Sequence, residues 1–131
     1  MNQTISDLQP IDYQPIHNEQ LKLWYGQWNV PDVIDLLPET GFIIPGMCAI
    51  FLYLTNSKVS FLDGFICNKD IPKEIRNICL DKVVKATCQL SDDKGYKLMS
   101  ATTNLPAVIE RSIKFGFVPA GQYEMLLRSK S

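Results

Sequence analysis

The hydrophobic and polar positions of this chain change period several times, and each change marks an element. Met1–Pro10 is polar and ends in proline, so it reads as a loose arm ahead of a single domain over residues 11–131. Ile11–Ile16 alternates weakly beside prolines, the pattern of a short edge strand. Asn18 is placed to cap a helix in which Leu21, Trp24, Tyr25 and Trp28 follow at helical spacing. The aromatic stripe is first a core face; the functional alternative is that one ring lines an acceptor cleft. Pro31 suits a first turn and opens a second short helix, Asp32–Leu37, ended before Pro38.

The middle of the chain turns to strands. Gly41–Gly46 (GFIIPG) reads as a short strand, and Cys48–Leu54 (CAIFLYL) is apolar on both faces, as a central strand should be. Asn56-Ser57 makes a turn, and Lys58–Cys67 returns as the second arm of a hairpin, with Gly64 marking a bulge or a close backbone approach. A long amphipathic helix follows, with Asp70 as its cap and Pro72 in its first turn. Ile75, Ile78, Cys79, Val83, Ala86 and Leu90 form its stripe, widened by Leu80, Val84 and Thr87. Ser91–Gly95 stops it. Tyr96–Thr102 is then a strand, parallel to Lys58–Cys67 because a helical crossover joins them. Asn104 and Pro106 open the next helix, which turns Val108, Ile109, Ser112 and Ile113 inward and ends at Gly116. Tyr123–Leu127 closes the sheet. The class is α/β (α+β), in the order β-α-α-β-β-β-α-β-α-β.

Composition narrows the functions. An apolar content of 46% with 21% charge is the balance of a folded domain, and a net charge of −1 gives no electrostatic case for nucleic acid. Cys48, Cys67, Cys79 and Cys88 form no C-x-x-C pair and lie far in sequence from His17, the one histidine, so no metal site is expected. They read as small buried hydrophobes in a reducing compartment. The N-terminus lacks the basic and apolar regions of a signal peptide, and the longest apolar stretch, Met47–Leu54, is too short to span a bilayer. A soluble, cytoplasmic protein with no membrane partner is expected.

The span from Phe65 to Phe117 carries a family resemblance. Ile113-Lys114-Phe115-Gly116-Phe117 is similar to the hydrophobic-lysine-x-Gly-Phe pattern that ends the second core helix of the GCN5-related N-acetyltransferase (GNAT) superfamily, shifted by one. Asn104 and Ala107 match residues just before and one turn into that helix, and Tyr123–Leu127 resembles the family's closing strand. The likeness covers roughly Phe42–Leu127. It implies a mixed sheet flanked by helices, with acetyl-CoA at the splay between Phe65–Cys67 and Leu98–Ala101. On that resemblance Phe65, Ile66, Cys67, Lys73, Arg76, Asn77 and Asn104 would contact the cofactor.

The pattern also departs from the family. Its cofactor loop, Arg/Gln-x-x-Gly-x-Gly/Ala, lets backbone N–H groups reach a pyrophosphate at the positive end of a helix. The matching segment here, Pro72-Lys73-Glu74-Ile75-Arg76-Asn77, has no glycine. Ile75 and Asn77 put side chains where the pyrophosphate would lie, and Glu74 adds a repelling charge. Ser112 stands where many members carry a proton-donating tyrosine, and a serine hydroxyl is a poor general acid. Asp63 and Asp70 are the nearest carboxylates for a general base. The resemblance therefore implies a degenerate GNAT-like protein, a binding or structural subunit with a protein partner or self-assembly, and fits bacteriophage proteins including virion components. The alternative is an acetyl-CoA-dependent N-acyltransferase with an atypical loop.

Overall fold

A computed structural model describes residues 7–103, 106–121, 124 and 126–128. Its elements are strand β1 (Ile11–Asp12), helix α1 (Asn18–Gln27), strands β2 (Gly41–Ile44), β3 (Cys48–Tyr53) and β4 (Val59–Cys67), helix α2 (Lys73–Asp93), strand β5 (Leu98–Ala101) and helix α3 (Pro106–Ile113). The five strands form one mixed sheet in chain order, antiparallel from β1 to β4 and parallel between β4 and β5. The parallel pair is the one the crossover argument required.

Strand β3 is buried along nearly its whole length, because it feeds both layers of the core. Cys48 and Ile50 pack with Leu62 and Cys67 against Cys79, Val83 and Val84 of α2. Ala49 and Phe51 point the other way, into Leu21, Trp24 and Tyr25 of α1. Helix α2 is pinned at its far end by a buried Ser60–Ser91 hydroxyl pair at 2.8 Å, which satisfies two polar groups inside the core. Thr87, also buried, donates to Val83 O at 2.6 Å.

Several expectations are corrected. The second helix over Asp32–Leu37 is a single 3-10 turn, Ile34–Leu36, with Asp32 accepting from Ile34 N–H at 3.0 Å. The edge strand is Ile11–Asp12 rather than Ile11–Ile16. Asn18 does not cap α1 but begins it, and its side chain accepts the Tyr13 hydroxyl at 2.7 Å. Helix α2 starts after Pro72, without an Asp70 cap, and runs through Ser91 because Ser91 is held against Ser60. Leu8, placed in the loose arm, is 4% exposed and packs on the α2 core, where Lys82 donates to its carbonyl at 2.7 Å. Ile109 and Ile113 face solvent instead of the core. Asn104, Tyr123 and Met125 lie outside the described residues, so the Asn104 cap and the closing strand do too, and 124 and 126–127 carry no strand. No described helix is long and apolar enough to cross a membrane.

Candidate functional site

The site grows out of an irregularity in β4. Ala49 pairs with Ile66 and Phe51 with Asp63, so Gly64 and Phe65 stand opposite the single residue Ile50. That is a β-bulge, and it needs Gly64, whose φ of +75° lies in the left-handed region. A Cβ there would also sit 3.1 Å from the Phe51 ring. Beyond the bulge β4 parts from its parallel neighbour: β4 and β5 pair from Val59–Leu98 to Leu62–Ala101 and no further, while β4 continues to Cys67.

The opening between the parted strands leads into a cleft of about 240 Å³ under α2 and α3. Its floor is Leu62, Gly64 and Phe65, its walls Leu80, Val84 and Phe115, and Ala101 and Thr102 edge it at the end of β5. Helix α3 is held over the cleft by its C-terminal stop. Gly116, at φ +90°, donates to Ile113 O at 3.0 Å and Phe117 N–H to Ser112 O at 3.3 Å, a Schellman arrangement that returns Phe115 and Phe117 to the core. Across the cleft Asp81 of α2 takes Arg111 at 2.6 Å and Lys114, and Arg111 donates to Asn77 O at 3.0 Å.

The β4–α2 connection is arranged differently. Asn68 N–H donates to Met47 O at 2.7 Å, and more loosely Ile71 N–H to Asn68 O at 3.5 Å. Lys69 N–H goes to Gln27 Oε1 at 2.8 Å and Asp70 N–H to Asn68 Oδ1 at 3.0 Å. Gln27 Nε2 in turn holds Asn68 Oδ1 at 3.1 Å and Asp70 Oδ2 at 3.2 Å. The indole N–H of Trp28 closes the strand end, donating to Cys67 O at 2.7 Å. Lys69 Nζ and the Arg76 guanidinium lie 5.0 and 5.5 Å from that ring, within cation–π range. The segment matched to the cofactor loop, Pro72–Asn77, is helical from Lys73 onward, with Arg76 N–H bonded to Pro72 O at 3.0 Å.

The fold that these elements build has counterparts among solved proteins. The chain aligns with an acetyltransferase from Trypanosoma brucei at a TM-score of 0.62 and 11% identity, over 92% of this chain and 99% of that one. The aminoglycoside N-acetyltransferase AAC(6')-Iy in complex with CoA gives 0.62 at 14% identity, over 92% and 99%. The same enzyme with the bisubstrate analogue CoA-S-monomethyl-acetylneamine gives 0.63 at 16%, over 92% and 97%. The fold is that of the GCN5-related N-acetyltransferases. No family model matches the sequence, and the search of curated proteins gives no match.

Within this GNAT fold the residues expected at a site separate. Phe65 and Ser112 meet at the cleft. The Ser112 hydroxyl is already engaged, donating to Val108 O at 2.7 Å along its own helix. Ile66 is turned to the α1 side of the sheet and Cys67 to the α2 core. Lys73 is exposed, Arg76 covers Trp28, and Asn77 meets Arg111 through its carbonyl. Asp63 accepts from Gly64 N–H at 2.8 Å and serves the bulge. Trp28, from the aromatic stripe, seals the end of β4 instead of lining the cleft.

Three of the cysteines are held in the thiol form by placement, while Cys79, fully buried, is shifted down by its hydrogen bond with Cys48. Cys48 and Cys67 face each other across β3 and β4. Cys48 is held protonated by its hydrogen bond to Cys79 and by burial, and burial pushes Cys67 and Cys88 up as well. Sequence reasoning missed the Asp81–Arg111–Lys114 group and the Gln27–Asn68 lock. Arg111 and Lys114 stand three residues apart where α3 ends, but nothing local links them to Asp81 or Gln27 to Asn68.

Proposed function

We propose that this chain is a GNAT-fold binding subunit that works by non-covalent recognition and does not grip the pyrophosphate of a CoA. One observation carries the reading: from Asn68 to Ile71 each backbone N–H already has an acceptor from the chain itself, and Pro72 has none to give. A pyrophosphate at the matched segment, Pro72–Asn77, would meet the side chains of Glu74 and Ile75 with no glycine to admit it, and could draw on none of the engaged N–H groups of the preceding loop. The engaged hydroxyl of Ser112 supports the same reading, since a group donating to a helix carbonyl is poorly placed to protonate a thiolate. A protein partner or self-assembly is the role this leaves, and a strictly monomeric chain with no recoverable partner would count against it.

The parted strands and open cleft favour a second reading, an acetyl-CoA-dependent N-acyltransferase that holds its cofactor through the splay alone. Under it, backbone donors of the bulged strand polarise the thioester while an amine attacks directly. Thermal unfolding with and without millimolar acetyl-CoA separates the two. Binding at 100 times Kd stabilises the folded state by about 2.7 kcal/mol, a readily visible rise in Tm. No shift is expected; a saturable rise with release of free CoA in the presence of amines overturns the proposal in favour of the enzyme.

A further inference from the structure

Three thiols gather where the ends of β3 and β4 meet α2. Cys48 opens β3, Cys67 ends β4, and the two are partners in the antiparallel register. Asn68 N–H donates to Met47 O at 2.7 Å, which makes Met47 and Asn68 a hydrogen-bonded pair. Cys48 and Cys67, one step along, therefore form a non-hydrogen-bonded pair. At such positions the Cα atoms lie about 4.5 Å apart with both side chains on one face, within the range of roughly 4.4–6.8 Å that a disulfide spans. Both side chains face α2, where Cys79 accepts a hydrogen bond from the Cys48 sulfur. Among the described residues no three His, Cys, Asp or Glu side chains are grouped to hold a metal ion, which leaves sulfur–sulfur chemistry for this cluster.

The three thiols differ in access. Cys48 and Cys79 are 0% exposed and Cys67 is 8% exposed, so a reagent from solvent meets Cys67 first. Burial raises the Cys67 thiol, and the Arg76 guanidinium, hydrogen-bonded to its sulfur, works against that rise. We propose that Cys67 and Cys48 form a thiol–disulfide exchange site, in which Cys67 takes up a small-molecule disulfide and Cys48 closes the bridge that ties β3 to the end of β4. In the first step the Cys67 sulfur bonds to one sulfur of the reagent, the reagent's S–S bond breaks, and the departing thiolate takes the Cys67 proton. In the second the Cys48 sulfur attacks that of Cys67, and the rest of the reagent leaves as a thiol carrying the Cys48 proton. The cysteine pair is oxidised and the reagent is reduced to two thiols. Cys48 needs no path to solvent, because the opposite strand delivers its electrophile. The bridge lies one residue from the Met47–Asn68 bond, so it stiffens the β4–α2 connection at its root. No cysteine lines the cleft, and the site is independent of the proposed function.

The test incubates the intact, folded chain with excess bis-hydroxyethyl disulfide, alkylates the remaining thiols and maps the peptides by mass spectrometry. The peptides of Cys48 and Cys67 are expected to appear joined, with Cys79 still alkylated once the chain is denatured, and dithiothreitol should reverse the bridge. Cys48→Ala removes the resolving thiol and should leave a hydroxyethyl adduct standing on Cys67. Cys79→Ala should still form the Cys48–Cys67 bridge. The map of the parent chain decides the matter if Cys48→Ala fails to fold. Amide exchange at Asn68 should slow about tenfold on oxidation, because opening there then strains a covalent tie one residue away. A bridge to Cys79, a Cys67 adduct that never closes in the parent, no reaction of the folded chain, or an unchanged Asn68 rate in the bridged form overturns the inference.

Discussion

At the splay, β4 leaves β5 after Leu62 and the space between them stays open; at the β4–α2 connection the chain fills the neighbouring space with Gln27, Asn68 and Trp28. The two regions adjoin the same end of β4. They differ in how their polar groups are satisfied. In the connection the acceptors come from the Met47 carbonyl, Gln27 of α1 and Asn68 itself, so the N–H groups of residues 68–71 are satisfied within the chain. Beside the cleft, Asp81 Oδ1 and Arg111 Nε are buried with no hydrogen-bond partner among the described residues. The contrast is between an opening that the fold leaves between two strands and a neighbouring connection whose N–H groups the chain satisfies itself.

The comparison can be broken from the side that supports both regions. Phe51, 1% exposed, backs the bulge and contacts the Tyr13 ring at 5.0 Å between centroids. Phe51→Ala should cost about 3–5 kcal/mol in denaturant unfolding. A loss under 1 kcal/mol would mean that the bulge does not lean on it. Gly64→Ala forces an L side chain into the left-handed region against Phe51 and should cost about 1–2 kcal/mol, with loss of whatever the cleft binds. If the variant is as stable as the parent, the bulge has moved and the splay is not fixed by Gly64.

Gln27→Ala addresses the closed region. It removes the acceptor of Lys69 N–H and the donor to Asn68 and Asp70, at a cost of about 1 kcal/mol. Amide exchange at Lys69 should quicken while that at Phe65 is unchanged; an unchanged Lys69 rate would show that the lock does not hold the connection. The smallest effect is expected at Tyr25, 5% exposed, whose hydroxyl has no partner among the described residues. Tyr25→Phe should be within about 1 kcal/mol of the parent at neutral pH, on the stabilising side. Burial, then the nearby Asp32, pushes this phenol from 10.0 up to about 12. Folding therefore disfavours its ionised form: its contribution is full below pH 10 and is lost as pH rises toward 12. The fall in Tm above pH 10 should be shallower in Tyr25→Phe, and an identical slope would remove Tyr25 from the alkaline transition.

Much of the scaffold was legible because it rests on short-range chemistry. Cys48–Leu54 is apolar at every position and became the central strand; Ile75 to Leu90 carries the period of a helix on a sheet; Gly64 announced the bulge and Gly116 the stop. The parallel β4–β5 pair followed from the handedness and length of a crossover, which leave few alternatives. The short helix over Asp32–Leu37 failed because proline and acid placement permit a helix start without supplying the buried face that sustains one.

The candidate site divides along the same line. The absence of glycine between Cys67 and Asn77 was written in the chain, and it already set the connection apart from a phosphate cradle. What replaced the cradle was not written there. Gln27 lies 41 residues from Asn68, and Asp81 lies 30 from Arg111. Such pairings carry no periodicity, because each depends on where two elements come to rest on the sheet rather than on the sequence between them. Sequence settled the order of elements from β2 to α3 and the missing glycines, through local backbone preference and hydrophobic period. Tertiary structure alone decided which buried polar groups found partners, since hydrogen bonding is a matter of distances that the chain acquires only when α1, α2 and α3 have docked.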